Sequence, residues 1–306
     1  MIKFIKLSAL LLLVVSGTAS SQSIQVHAKP NDHIDYNRLK RIDTLVNSYI
    51  NNNWLRGAVT IVVKDNQLVQ YKGYGYSNFE TQKRMDSNAM FRIMSQTKAV
   101  TSIGILILYE EGKFLLDQDI ADFSPSFKNL QVMDTYNEKD TTYTTVPAKR
   151  GITFRDLLTH TSGIDYPDIG SEKMKAVYAK AHIPSGLGMF NENLRDRMDA
   201  LGKLPLVHQP GEKFTYGLNS DLLGSLIERM SGMNLEDFFR TRIFEPLGMK
   251  DSYFNVPSQK ADRLAKVYTE DSVAKITPWG HNHFGIDADY PIMKKRYFSG
   301  GAGLSS

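Results

Sequence analysis

The chain contains no cysteine. Disulfides, thiolate zinc sites and lipoprotein attachment through a thioether are therefore excluded, which leaves a packed core as the one large stabiliser. Long apolar runs are also lacking. The longest, Leu7 to Val15, falls well short of the roughly 20 residues that span a bilayer. No block of Lys or Arg tracks a phosphate backbone, so nucleic acid is not an expected partner. The chain has no Gly-x-Ser-x-Gly elbow and no glycine-rich phosphate loop, which removes the α/β-hydrolase and nucleotide-binding readings. Internal repeats and low-complexity segments are absent too.

What is present is ordinary globular composition: 42% hydrophobic and 23% charged residues in a chain of 306. Lys3 and Lys6, the apolar run, and then small residues with Gly17 and Ala19 read as an export signal cleaved after about residue 20. A polar leader over 21–35 and one domain over 36–306 follow. Export without disulfides points to a bacterial source and a periplasmic or secreted location, with no stable membrane anchor after cleavage. The formal charge of +4 falls by two when the signal leaves, so the charge says little about partners.

Leu39, Ile42, Leu45, Val46 and Tyr49 recur at helical spacing and predict an amphipathic helix. Ala58–Lys64 and Gln67–Tyr74 alternate β-branched with polar residues around Asp65-Asn66, a hairpin signal. From Ser95 to Glu111 the chain is apolar almost all round, which predicts a helix buried inside the domain. Tyr136 to Lys149 has the look of a surface insertion. Thr153 with Asp156 reads as a helix start running to His160. Leu222, Leu223, Leu226, Ile227 and Met230 form the next stripe, closed by Gly232. Asn234 with Asp237 caps another helix that ends at Pro246-Leu-Gly248. An early hairpin, helices in the middle and no βαβ alternation give an α+β fold with an antiparallel sheet.

Ser-x-x-Lys occurs twice, at Ser95/Lys98 and Ser272/Lys275. Only the first opens a helix, where three residues of spacing put Lys98 on the same face one turn from Ser95. A hydroxyl there feels the positive end of the helix dipole, and a desolvated lysine can accept or relay its proton. On the motif alone, an N-cap serine beside a solvated lysine competes evenly with this reading.

The run Phe91-Arg-Ile-Met-Ser-Gln-Thr-Lys-Ala-Val, continuing to Asp117, resembles the nucleophile helix of the class C β-lactamase-like serine hydrolases. This superfamily includes β-lactamases, D-Ala-D-Ala carboxypeptidases, D-amino-acid peptidases and β-lactamase-like esterases. The likeness continues through Ile152-Thr-Phe-Arg-Asp-Leu-Leu-Thr-His-Thr-Ser-Gly163, Pro210-Gly-Glu-Lys-Phe-Thr-Tyr216, Pro246-Leu-Gly-Met249 and Ser299-Gly-Gly-Ala-Gly-Leu-Ser305. It implies a β-lactamase/transpeptidase-like fold, with Ser95 as acylated nucleophile, Lys98 as its partner and Tyr216 as general base beside the lysine cation. No cofactor and no metal are implied.

Two departures stand out. Where class C β-lactamases have Tyr-x-Asn, this chain has Tyr216-Gly-Leu-Asn219, which leaves Asn219 as a possible substrate contact and favours an esterase or D-Ala peptidase over a β-lactamase. The family's third motif would lie beyond Ser305, so the sequence reads as C-terminally truncated. Loss of one oxyanion donor costs about 100- to 1000-fold in rate, and the sheet edge beside the hairpin would lack its partner strands.

Three weaker signals remain. His160 suggests a Ser/His dyad, but a helix-end histidine bonded to backbone is preferred. His281 and His283 have metal-like spacing without companions. The stretch Tyr166 to Asn191, with Tyr178 and Phe190, reads equally as a substrate rim or as ordinary packing. The expected reaction is acyl transfer on a small ester, amide or peptide. The competing class is a non-catalytic binder of cell-wall peptides.

Overall fold

The computed structural model describes residues 33–186, 192–271, 273, 275–279, 292 and 296–306. The expected export signal, Ser272, Phe190 and His281-Asn-His283 lie outside the described residues.

Asp35 caps helix α1 (Tyr36–Asn51), its carboxylate accepting from the amides of Asn37 and Arg38. The stripe of α1 is only half covered: Leu39, Ile42 and Val46 are partly buried, while Leu45 and Tyr49 are exposed. Strands β1 (Gly57–Lys64) and β2 (Gln67–Asn78) form the expected hairpin. Asp65 and Asn66 turn it with φ of 52° and 58°, the left-handed pair that a two-residue turn needs and that these side chains tolerate. β3 (Lys83–Arg84) joins the free side of β2, giving the order β1-β2-β3. Among the described residues the other edge of β1 has no partner strand.

Helix α2 (Thr97–Glu110) follows a tight 3-10 turn at Met94–Gln96. Contrary to the expectation of burial all round, it is buried on one face only. Thr97, Thr101, Gly104, Ile105 and Leu108 are buried, whereas Ile103, Leu106 and Tyr109 are 40–49% exposed. Gly104 lets neighbouring helices come close on the buried face: a Cβ there would sit 3.0 Å from Ile227 and 3.2 Å from Phe239.

The remaining helices are α3 (Phe154–Leu158), α4 (Glu172–Lys180), α5 (Leu194–Leu201), α6 (Asn219–Ser231) and α7 (Leu235–Phe239). Their starts obey the sequence signals. Thr153 and Asp156 make a reciprocal capping box, Asn234 accepts from the Asp237 amide, and Gly232 ends α6 with φ of 72°. α6 is buried from Asn219 to Glu228 and forms the axis of the core. The supposed insertion at 136–149 belongs to a surface hairpin of β4 (Gln131–Tyr136) and β5 (Tyr143–Pro147). β6 (Tyr268–Glu270) and β7 (Ile276–Pro278) make a second short pair.

Residues 299–306 tie the chain before α2 to the segment at Tyr253. Phe91 donates to the Ser306 carbonyl at 2.7 Å and accepts from the Ser306 amide at 2.9 Å. The Tyr253 amide donates to the Ser305 carbonyl at 2.9 Å, and the Ile93 amide to the Leu304 carbonyl at 3.0 Å. The segment thereby lays Gly300 and Gly301 against the N-terminal turns of α2 and α6.

Candidate active site

Ser95 sits in the 3-10 turn that opens α2, and its side chain is exposed. The residue before it, Met94, has a φ of 45°, a conformation that costs a non-glycine residue about 1–2 kcal/mol. The bond from Ile93 to Leu304 holds the chain immediately before this turn. Lys98 follows one turn later, and its Nζ lies 3.1 Å from Ser95 Oγ, 2.8 Å from the Gly301 carbonyl oxygen and 3.4 Å from the Tyr166 hydroxyl. Each of the three ammonium hydrogens thus has an acceptor.

Tyr216 OH lies 2.7 Å from Ser95 Oγ. The loop carrying it runs along residues 160–165: the Thr215 amide donates to the His160 carbonyl at 2.8 Å, and the Leu218 amide to that of Asp165 at 3.3 Å. The phenol stacks with His160, at 5.1 Å and 23°, and with Tyr166, at 5.4 Å and 26°. Lys98 Nζ sits 4.7 Å from the centre of the Tyr216 ring, a cation–π distance. The structure therefore brings Ser95, Lys98 and Tyr216 together.

Asn219 lies elsewhere than the cleft surface. It is fully buried at the start of α6, accepting from Ser162 Oγ at 2.5 Å, with its Nδ2 3.0 Å from His160 Nδ1. Its contribution runs through His160. The Gly217 amide also points at His160 Nδ1, at 3.4 Å. Two donors on one ring nitrogen require it to be an acceptor, so the proton of the neutral ring is on Nε2. Burial, reinforced by the Lys98 charge, pushes His160 down to about 4, which keeps the ring uncharged at neutral pH. Its place against the face of Tyr216 makes it a support for that phenol.

Tyr178 is buried packing, its hydroxyl accepting from the Asp165 amide at 3.2 Å. Sequence reasoning missed Gly301 and Asp221, and it named Tyr166 only as the start of a possible substrate rim. Tyr166 is buried, and burial holds its phenol well above the usual tyrosine range, so it serves Lys98 as a neutral hydroxyl. The signal for Gly301 was visible as the Ser-Gly-Gly-Ala-Gly run, but nothing in that run says that a carbonyl there meets Lys98. A separate cavity of about 460 Å³ between the hairpin and residues 265–270 includes Met94 but not Ser95 in its lining.

The chain matches the Beta-lactamase family over residues 42–306. It is 34% identical over 218 residues to Protein Rv1367c of Mycobacterium tuberculosis, an overlap of 71% of this chain and 52% of that protein. It is 27% identical over 274 residues to Esterase EstB of Burkholderia gladioli, covering 86% of this chain and 66% of the esterase. The chain thus spans between half and two-thirds of the length of these relatives. Among solved structures, EstCE1, a hydrolase with promiscuous acyltransferase activity, superimposes with a TM-score of 0.72 at 24% identity, covering 88% of this chain and 68% of that one. By its match over most of its length and by its fold, the chain belongs to the Beta-lactamase family of serine hydrolases.

Proposed function

We propose that the protein is an exported serine hydrolase that forms an acyl-enzyme through Ser95 on a small ester, amide or peptide, as an esterase or D-amino-acid peptidase rather than a β-lactamase. The observation that carries this reading is the exposed Ser95 Oγ, held between Tyr216 OH at 2.7 Å and Lys98 Nζ at 3.1 Å.

Lys98 donates to Ser95 Oγ, which leaves the serine hydrogen to point at Tyr216. In this reading Tyr216 reacts as its phenolate, whose oxygen accepts that proton as Oγ attacks the carbonyl carbon, and the lysine ammonium stabilises the charge that develops. Proton return from Tyr216 to the leaving alcohol or amine completes acylation. A water activated by the same oxygen releases the acyl group. The esterase preference draws on the departure from Tyr-x-Asn at Asn219 and on the named activities of EstB and EstCE1.

Labelling with a fluorophosphonate tests the nucleophile. Ser95→Ala should abolish labelling and Tyr216→Phe should slow it by two or more orders of magnitude, as loss of a positioned base does. Rates on p-nitrophenyl acetate, nitrocefin and a D-Ala-D-Ala peptide then choose the branch. Labelling that survives Ser95→Ala rules the assignment out.

A further inference from the structure

Asp221 in the first turn of α6 is fully buried. Its Oδ1 accepts from the Ser299 hydroxyl at 2.6 Å and from the Tyr297 hydroxyl at 3.4 Å, while Oδ2 makes no well-formed hydrogen bond among the described residues, the Gly301 amide beside the carboxylate giving it only a weak pull. Ser299 Oγ gives its hydrogen to Asp221 and receives the amides of Gly301 at 3.2 Å and Ala302 at 3.0 Å. The Gly301 carbonyl in turn accepts from Lys98 at 2.8 Å. A chain of bonds therefore leads from the carboxylate, through one hydroxyl and one tight turn, to the lysine ammonium.

The need for an acid here is not explained by the turn alone. Holding Ser299 takes a single acceptor, which an amide would provide, whereas a buried carboxylate oxygen without a well-formed hydrogen bond is costly. Two facts show what faces it. A Cβ at residue 301 would lie 2.4 Å from Oδ2 and 3.2 Å from the Tyr166 hydroxyl, so glycine at 301 lets the carboxylate and that phenol close on the same point. Lys98 acts on the carboxylate through space, as a neighbouring cation outside ion-pair distance.

We propose that Asp221 is a positioning residue for Lys98, holding the Gly301 carbonyl through Ser299 and supplying the buried counter-charge that keeps the ammonium facing Ser95. This rests on the reading of Ser95, Lys98 and Tyr216 as the reacting groups. The groups around Asp221 are Lys98 from α2, Tyr166 from the segment after α3, and Tyr297 and Ser299 from the C-terminal segment; Arg197 of α5 acts on Tyr297. Burial pushes the carboxyl up to about 6, against the pull of the Ser299 hydroxyl and the Lys98 charge. Its counter-charge is therefore lost on mild acidification.

The test compares Asp221→Asn and Ser299→Ala with the unaltered chain, using kcat and KM on a p-nitrophenyl ester and fluorophosphonate labelling rates from pH 4.5 to 9. Asp221→Asn should lower kcat by about 10- to 100-fold, by analogy with outer-shell groups that orient metal ligands, with KM little changed and the acid limb near pH 6 gone. Ser299→Ala should lower kcat in the same direction but keep that limb, since the acid is still present. Folded Asp221→Asn with wild-type kcat and an unchanged acid limb overturns the proposal. If Asp221→Asn does not fold, Ser299→Ala decides: a wild-type kcat overturns the proposal and a lowered kcat with the limb retained supports it. Failure of the underlying reading shows separately, as labelling that persists in Ser95→Ala, and overturns both.

Discussion

Apart from its hydrogen bond to Ser95, Tyr216 is oriented by rings, and His160 does two jobs for it. The imidazole face packs on the phenol, while Nδ1 takes the Asn219 amide and points toward the Gly217 N–H. Its backbone also adopts a φ of 56°, which asparagine tolerates better than phenylalanine. These jobs separate by substitution. His160→Asn offers an acceptor and suits the backbone but loses the ring. His160→Phe keeps the ring but leaves the buried Asn219 amide without its partner, a penalty of about 1–3 kcal/mol. The expected result is a crossover, with His160→Phe the faster esterase and His160→Asn the more stable protein by urea unfolding. If the stability order is reversed, the hydrogen bonds at Nδ1 are not what holds this residue. If His160→Asn is the faster enzyme, the stack does not orient Tyr216.

At the scale of elements, α3 sets the position of that histidine. Five residues are too few for a helix to persist alone, and α3 is held by its cap. Asp156 accepts from the Thr153 amide and hydroxyl, each at 2.9 Å, from Arg150 at 2.9 Å and from Thr161 Oγ1 at 3.2 Å. Burial works against the ionised acid, but Arg150 and Thr153 outweigh it and keep the carboxyl below its usual range. Asp156→Ala strands those donors and should cost about 2–3 kcal/mol, against about 1 kcal/mol for Thr153→Ala. Equal costs in urea melts would show that the Arg150 pair adds nothing. The capping box was legible in the sequence, as were the Asp65-Asn66 turn and the end of α6 at Gly232, because each is set by backbone chemistry within a few residues. The Ser95/Lys98 spacing was legible for the same reason. Tyr166, Asp221 and Gly301 were not, since their meeting with Lys98 depends on how α2, α6 and the C-terminal segment pack. The exposed face of α2 was misread because hydrophobicity alone does not tell which side of a helix carries the close contact. Here that contact lies at Gly104.

For the whole molecule, two buried groups beside Lys98 make stability respond to pH in opposite directions. Asp221 is raised from 3.8 to about 6. The folded state holds a proton that the unfolded chain releases, so this contribution is present at low pH and is lost as pH climbs through about 6. His160 is lowered from 6.5 to about 4. Its contribution is present above the unfolded value and is lost as pH falls toward 4. Across pH 4 to 6.5 the two oppose each other, so together they should add little net slope to the urea midpoint there. Asp251, pulled down to about 2 chiefly by Arg263, withdraws its share only below about pH 4. Asp221→Asn leaves His160 unopposed, so stability should fall on acidification from pH 6.5 to 4. At pH 8 the variant should exceed the unaltered protein by on the order of 2–3 kcal/mol, because a buried charge is gone. His160→Asn should do the reverse, gaining relative stability as pH falls, and the double variant should return to the slope of the unaltered protein. Urea midpoints at pH 4.5, 6 and 8 measure all four proteins. An Asp221→Asn protein that is both slower and more stable at pH 8 would place the buried acid in the service of Lys98, whereas one that is less stable at every pH would make it a structural tie.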